Sequence, residues 1–191
     1  MWMPEGSGWI EVVCGSMFSG KTEELIRRIR RAEIARQIIQ TFKPALDNRY
    51  DETRIVSHSS MSIPARVVST SAQIEAAVGP ETQVVGIDEA QFFDSGLPGV
   101  CDRLADGGRR VIVAGLDQDY LGRPFGPMPQ LLAIAENITK TLAICVVCGT
   151  PSHRTDRVAE SEGVIDVGAT DKYRALCRRC FAEKLARVEL V

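Results

Sequence analysis

Gly15-Ser-Met-Phe-Ser-Gly-Lys-Thr22 is the stretch on which the fold of this chain turns. It fits the pattern G-x-x-x-x-G-K-[S/T] at every specified position, a match that background composition produces in on the order of one chain per hundred. Trp9-Ile-Glu-Val-Val-Cys14 precedes it, short, apolar and β-branched, and reads as a buried strand. After it, Leu25, Ile26, Ile29 and Ala32 recur at helical spacing, predicting a helix over 23–36 with Glu23/Arg27 and Glu24/Arg28 paired on its outside. A strand, a glycine loop and a helix in that order make a phosphate cradle. Gly15 and Gly20 let the backbone turn tightly, so the N–H groups of Ser16, Met17, Phe18 and Ser19 converge on phosphate oxygens, and the helix dipole adds positive potential. Lys21 is placed to reach the β- and γ-phosphates of ATP, and the Thr22 hydroxyl to ligate Mg²⁺.

Strand patterns recur at 38–42, 66–68, 84–88 and 111–116, with weaker helix patterns at 71–78, 98–105 and 129–136. Near-continuous apolar strands alternating with helices predict an α/β fold, a mainly parallel sheet covered on both faces. The 84–88 strand ends in Asp88-Glu89. In an open α/β sheet, ligands sit beyond the carboxyl ends of the strands. Asp88 is thereby placed to hold Mg²⁺ through water, and Glu89 to orient or deprotonate an attacking oxygen beside the γ-phosphate.

From about residue 141 the character changes. Cys145-x-x-Cys148 and Cys177-x-x-Cys180 bracket a weakly periodic segment of 28 residues. Two such knuckles match a closed, structural Zn²⁺ site of four thiolates, with a redox pair or plain buried thiols as the alternatives. The expected division is a P-loop domain over 1–141 and a zinc-binding domain over 142–191. Cys14 and Cys101 fall in a strand and a helix and read as core residues.

The chain has 191 residues, 45% hydrophobic and 25% charged, with a net charge of −2. That suits one α/β core with a small appendage and offers no global basic field for nucleic acid. The first residues lack the basic and apolar regions of a signal peptide, and no apolar run is long enough to span a bilayer. The expectation is a cytoplasmic protein without membrane or nucleic-acid partners.

These motifs together resemble one family, the zinc-containing, cellular-type (type II) thymidine kinases, with their RecA-like P-loop NTPase fold and lasso-like lid. The Met17-Phe18-Ser19 core of the loop, Asp47-Asn-Arg49-Tyr50, Ile87-Asp-Glu-Ala-Gln-Phe-Phe93, Ala114-Gly-Leu-Asp117, Arg123-Pro-Phe-Gly126 and Asp171-Lys-Tyr173 before the second knuckle follow the family's order over about 9–181. The resemblance implies transfer of the γ-phosphate of ATP to the 5′-hydroxyl of thymidine, giving dTMP for DNA precursor synthesis. It implies Glu89 as general base, Arg49 as a clamp on developing phosphate charge, and Asp47 as support for sugar and arginine. Met17, Phe92, Leu116, Tyr120 and Phe125 would wall the thymine pocket. Tyr173 would pack beneath a lid over about 150–173 that includes Thr155 and Val164. A homotetramer and feedback inhibition by dTTP are implied as well.

Tyr120, Gln118 and Gly168-Ala169-Thr170 depart from the family pattern in the pocket and lid. Two other readings compete. A RecA-like ATPase acting on nucleic acid would explain the loop and the acidic pair, but not a zinc-stapled loop on so small and weakly charged a chain. An ATP-binding zinc module without catalysis would transfer phosphate to no nucleoside.

Overall fold

The structure, a computed structural model, describes residues 6–46, 53–57, 61–158 and 172–188. The chain runs β1 (Trp9–Gly15), α1 (Lys21–Ile34), β2 (Ile39–Pro44), β3 (Arg54–Val56), β4 (Ser62–Pro64), β5 (Arg66–Val68), α2 (Ser71–Ala77) and β6 (Val84–Ile87). A 3₁₀ turn (Ala90–Phe92) leads to α3 (Leu97–Asp106), β7 (Arg110–Gly115), α4 (Met128–Ile134) and β8 (Asn137–Thr141). The C-terminal part holds β9 (Ala143–Ile144), β10 (Pro151–Ser152), β11 (Arg154–Arg157), β12 (Tyr173–Leu176) and α5 (Arg178–Val188).

Six strands form one sheet in the order β5-β2-β6-β7-β1-β8, and every pairing in it is parallel. The pleat sends alternate residues to opposite faces. Ile10, Val12 and Cys14 pack with Val85, Ile87, Val111 and Val113 against Ile74 of α2, Leu97 to Ala105 of α3, and Leu131 of α4. On the other face Val13, Val84, Ile112 and Ala114 meet Leu25, Ile26, Ile29 and Ala32 of α1. Two apolar layers around a parallel sheet are what the α/β pattern predicts. Cys14 and Cys101 lie fully buried in the first layer, and burial pushes their thiols up to about 11 and about 12.

Two of the differences from the expectation lie at the β1–β8 edge of the sheet. The edge strand β8 has no counterpart in the sequence reading, because Asn137-Ile-Thr-Lys-Thr141 is polar and only half-buried. It nevertheless pairs with β1 from Glu11 to Gly15. Arg28, expected on the solvated face of α1, is buried instead, because β8 and the start of β1 close over it. Its Nη1 donates to Glu11 Oε2 at 2.6 Å, its Nη2 to Thr139 Oγ1 at 2.8 Å and its Nε to Glu24 Oε1 at 2.7 Å. Glu11 also accepts from Arg110 Nε and Trp9 Nε1, both at 2.7 Å.

Burial alone would raise the Glu11 carboxyl, but the hydrogen bonds from Arg110 and Trp9 and the charge of Arg28 outweigh it and hold the group below its ordinary value of 4.5. The Arg27 and Arg28 guanidiniums bring Glu24 down to about 2. Depressed carboxyls contribute stability that is complete above their unfolded values and lost as pH falls through the folded ones. Thermal melts should therefore weaken as pH drops from about 4.5 toward 2. Glu11→Ala, which strips a nearly buried arginine of one carboxylate, should cost about 3 kcal/mol at neutral pH in chemical denaturation. It should also flatten the acid loss.

Candidate active site

The carboxyl ends of β1, β6, β7 and β8 lie side by side, and the residues that follow them build the site. β1 ends at Gly15, paired in register with Thr141 of β8. A side chain at Gly15 (φ +145°) would put its Cβ 2.3 Å from Thr141 O, so only glycine permits this approach. The loop then passes through Phe18 at φ 64° and Gly20 at φ 83° into α1. Ser19 Oγ donates to Ser16 O at 2.8 Å and lies 2.9 Å from Thr141 Oγ1, which itself donates to Cys14 O at 3.0 Å. Lys21 Nζ donates to Ser16 O at 2.8 Å. The loop is thus tied internally and to the end of β8.

β6 delivers the acidic pair. Thr22 Oγ1 donates to Asp88 Oδ2 at 3.2 Å, which brings together the two residues the sequence assigns to Mg²⁺. A hydroxyl beside a buried carboxylate is an oxygen donor set of the kind a hard divalent cation takes. Glu89 sits at φ 50°, ψ 42°, in the left-handed region that a non-glycine residue holds only when its surroundings over-determine it. Phe92 and Phe125 meet edge to face, centroids 5.7 Å apart, while Phe93 is buried in the core. Leu116 and Tyr120 are half-buried on the segment after β7. The Arg157 guanidinium stacks 3.8 Å from the Tyr120 ring centroid.

The C-terminal part reaches back to the loop. β11 and β12 pair antiparallel, with Thr155 opposite Ala175 and Arg157 opposite Tyr173. Met17 N donates to Thr155 Oγ1 at 3.0 Å, a buried bond spanning 138 residues of sequence. Tyr173 is buried. Asp47 and Arg49, which follow β2, and Val164, which falls between β11 and β12, lie outside the described residues, as do Tyr50 and the Gly168-Ala169-Thr170 departure. Of the predicted site, the structure therefore joins the phosphate loop to Asp88 and Met17 to Thr155.

Cys145, Cys148, Cys177 and Cys180 converge, their Sγ atoms all within 4.8 Å of one another. Tetrahedral zinc at about 2.3 Å from each sulfur sets them about 3.8 Å apart, so the cluster fits Zn²⁺. Cys145 and Cys148 sit on the turn between β9 and β10, where Gly149 N donates to Cys145 O at 2.9 Å. Cys177 and Cys180 sit where β12 passes into α5. The Cys180 backbone N–H draws the Cys177 thiol down to about 6, while burial and the neighbouring thiols push Cys180 up to about 12. Beside the cluster, Asp156 is buried and accepts from Arg174 Nε at 2.8 Å and Lys184 Nζ at 2.5 Å, which pins β11 to β12 and α5.

Three contributors were missed in the sequence. Thr141 looks like a linker residue there, yet it backs the phosphate loop. Asp117, after β7, pairs with Lys140 of β8 at 2.5 Å. Gln91, buried in the 3₁₀ turn, donates to Glu89 Oε2 and accepts from Leu116 N at 2.9 Å. A lone amide two residues beyond an acidic pair and flanked by apolar side chains was the available signal for Gln91.

The family model described as "Thymidine kinase" matches residues 8–181. The chain is 57% identical over 174 residues to the thymidine kinase of Rhodothermus sp. (strain ITI 518), covering 91% of this chain and 81% of that protein. It is 54% identical over 174 residues to the thymidine kinase of Bdellovibrio bacteriovorus (strain ATCC 15356 / DSM 50701 / NCIMB 9529 / HD100), covering 91% and 85%.

Elemental analysis of the purified chain should find about one zinc per chain. Cys180→Ser should lower that content and loosen α5, read as a loss of helical ellipticity that leaves the parallel sheet intact.

Proposed function

The chain belongs to the thymidine kinase family, and we propose from this that it transfers the γ-phosphate of ATP to the 5′-hydroxyl of thymidine, yielding dTMP and ADP. The observation that carries the reading is the junction of a complete phosphate loop with Asp88 through Thr22, beside Glu89 at the end of the neighbouring strands' row.

In this reading the N–H groups of 15–20 and the Lys21 ammonium bind the triphosphate. Thr22 and Asp88 would hold Mg²⁺, which neutralises charge on the phosphate oxygens when bound. Phosphoryl transfer asks mainly for positioning and charge, with little covalent help from the protein. The 5′-oxygen attacks the γ-phosphorus as the bond to the β,γ-bridging oxygen breaks. Glu89 takes the hydroxyl proton, and Arg49 clamps the equatorial oxygens. Met17, Asp47, Phe92, Leu116, Tyr120, Phe125, Thr155, Val164 and Tyr173 surround the nucleoside.

The zinc division, 142–191, serves as an anchored lid on the 1–141 phosphotransferase division. We further propose a homotetramer, feedback inhibition by dTTP, a cytoplasmic location, and no nucleic-acid or membrane partner. The exposed apolar residues Ile138, Leu142, Ile144, Val146 and Val147 along the β8 edge and first knuckle support association between copies. Among the described residues no helix is long and apolar enough to cross a membrane.

Incubation with labelled ATP and a panel of nucleosides tests the reading. A labelled monophosphate should form with thymidine, while strong ATP turnover without any acceptor would favour the nucleic-acid ATPase. Glu89→Gln should lower kcat by about 10²–10⁴-fold with ATP binding retained in calorimetry. Cys177→Ser should raise the KM for thymidine more than that for ATP in a folded protein, because it loosens the strands that carry Thr155 and Tyr173. The Met17–Thr155 bond means that the ATP constant should move as well, in the same direction and by less.

A further inference from the structure

We infer that Gln91 is a positioning residue for the reaction: its side-chain amide aims the Glu89 carboxylate. This rests on the reading of Glu89 as the base.

Gln91 is 2% exposed and stands in the middle of the 3₁₀ turn after the acidic pair. Its Oε1 accepts from Leu116 N at 2.9 Å. Because a backbone N–H only donates, the oxygen must face it, and this turns the amide nitrogen away from β7. That nitrogen donates to Glu89 Oε2. An ionised carboxylate only accepts, so the amide is oriented from both ends and cannot be flipped without losing both bonds.

The turn itself is pinned. A Cβ at Gly126 (φ +50°) would lie 2.3 Å from Gln91 O, and one at Gly115 would lie 3.0 Å from Gln91 Oε1. The amide therefore has no room to swing. Glu89 is fixed in the left-handed region on one side of it and Leu116 on the other.

The amide connects the base to Leu116, so the segment after β7 and the proton acceptor keep one geometry. A base needs to stay within hydrogen-bond reach of its proton, and loss of aim alone costs rate.

Steady-state kinetics of the full chain decide the matter, with Gln91→Leu and Gln91→Glu checked first for zinc content and thermal unfolding. Gln91→Leu removes both amide bonds. It should lower kcat roughly 10–100-fold and leave both KM values within about threefold. Gln91→Glu keeps an acceptor for Leu116 N but loses the donor to Glu89, so it should lower kcat by a similar factor; it decides the question if Gln91→Leu does not fold. In the Glu89→Gln background either change should cost kcat less than about threefold, because a residue that acts through Glu89 has nothing left to aim. A folded variant of either kind with the parental kcat overturns the proposal, and so does an undiminished further loss in the Glu89→Gln background. Glu89→Gln alone separates this outcome from failure of the underlying reading. If Glu89→Gln is nearly inactive while the Gln91 variants keep the parental kcat, Glu89 remains the base and Gln91 loses its role. If Glu89→Gln turns over like the parent, the base reading itself falls, and the role of Gln91 with it.

Discussion

The site depends on the double pairing of β1. Its residues are hydrogen-bonded on one side to β7 and on the other to β8, and the second ladder runs as far as Gly15 opposite Thr141. A loop whose backbone N–H groups must converge on one ligand needs a fixed point of departure. The parallel ladders supply it, and Thr141 supplies a second tie through Cys14 O and Ser19. β7 lies between β1 and β6, so the acidic pair arrives two strands away, within reach of the Thr22 hydroxyl. Without the register of these strands the glycine loop would be only a flexible turn.

The C-terminal part adds what the sheet does not provide. Its buried apolar cluster among the described residues is small, Leu176 and Phe181 around the cysteines, so its elements are joined by specific chemistry. Four cysteines close around one point, and buried Asp156 takes two cations from β12 and α5. Asp156 is the buried member of these pairs, and displacing either cation leaves its carboxylate with one partner fewer. That arrangement presents Thr155 to the phosphate loop. The phosphate loop and β11 thereby share a hydrogen bond, although the residues that make it are 138 positions apart.

Much of this was legible in the sequence. The buried strands of the sheet are runs of β-branched residues whose ends were placed within about two positions, and the octapeptide and the cysteine spacing each name their chemistry. What escaped was set by tertiary context. β8 is a polar edge strand whose pairing partner lies over a hundred residues away, and no local periodicity reports such a partner. Arg28 has the helical spacing of a solvated residue; only the approach of Glu11 and Thr139 makes it a buried one. Gln91 shows in the sequence only as a lone amide among apolar neighbours, since its meaning lies in Leu116 and Gly126, both brought to it by the fold. The small strands around the cysteines are two to four residues long and take their shape from the turns and the thiol cluster rather than from any pattern of their own.

The place of β1 in the sheet has a bearing on biosynthesis. It is made well before its neighbours β7 and β8, which span residues 110–141, and Ile10 N donates to Glu136 Oε2 across 126 positions. At about 5–20 residues per second, the ribosome leaves Val12 and Val13 without their native partners for roughly 6–25 s. Long-range parallel pairing is also slow to form once the chain is complete. An apolar strand that must wait this long is exposed to aggregation in the meantime. The phosphate loop cannot make its ties to Thr141 until β8 has been made.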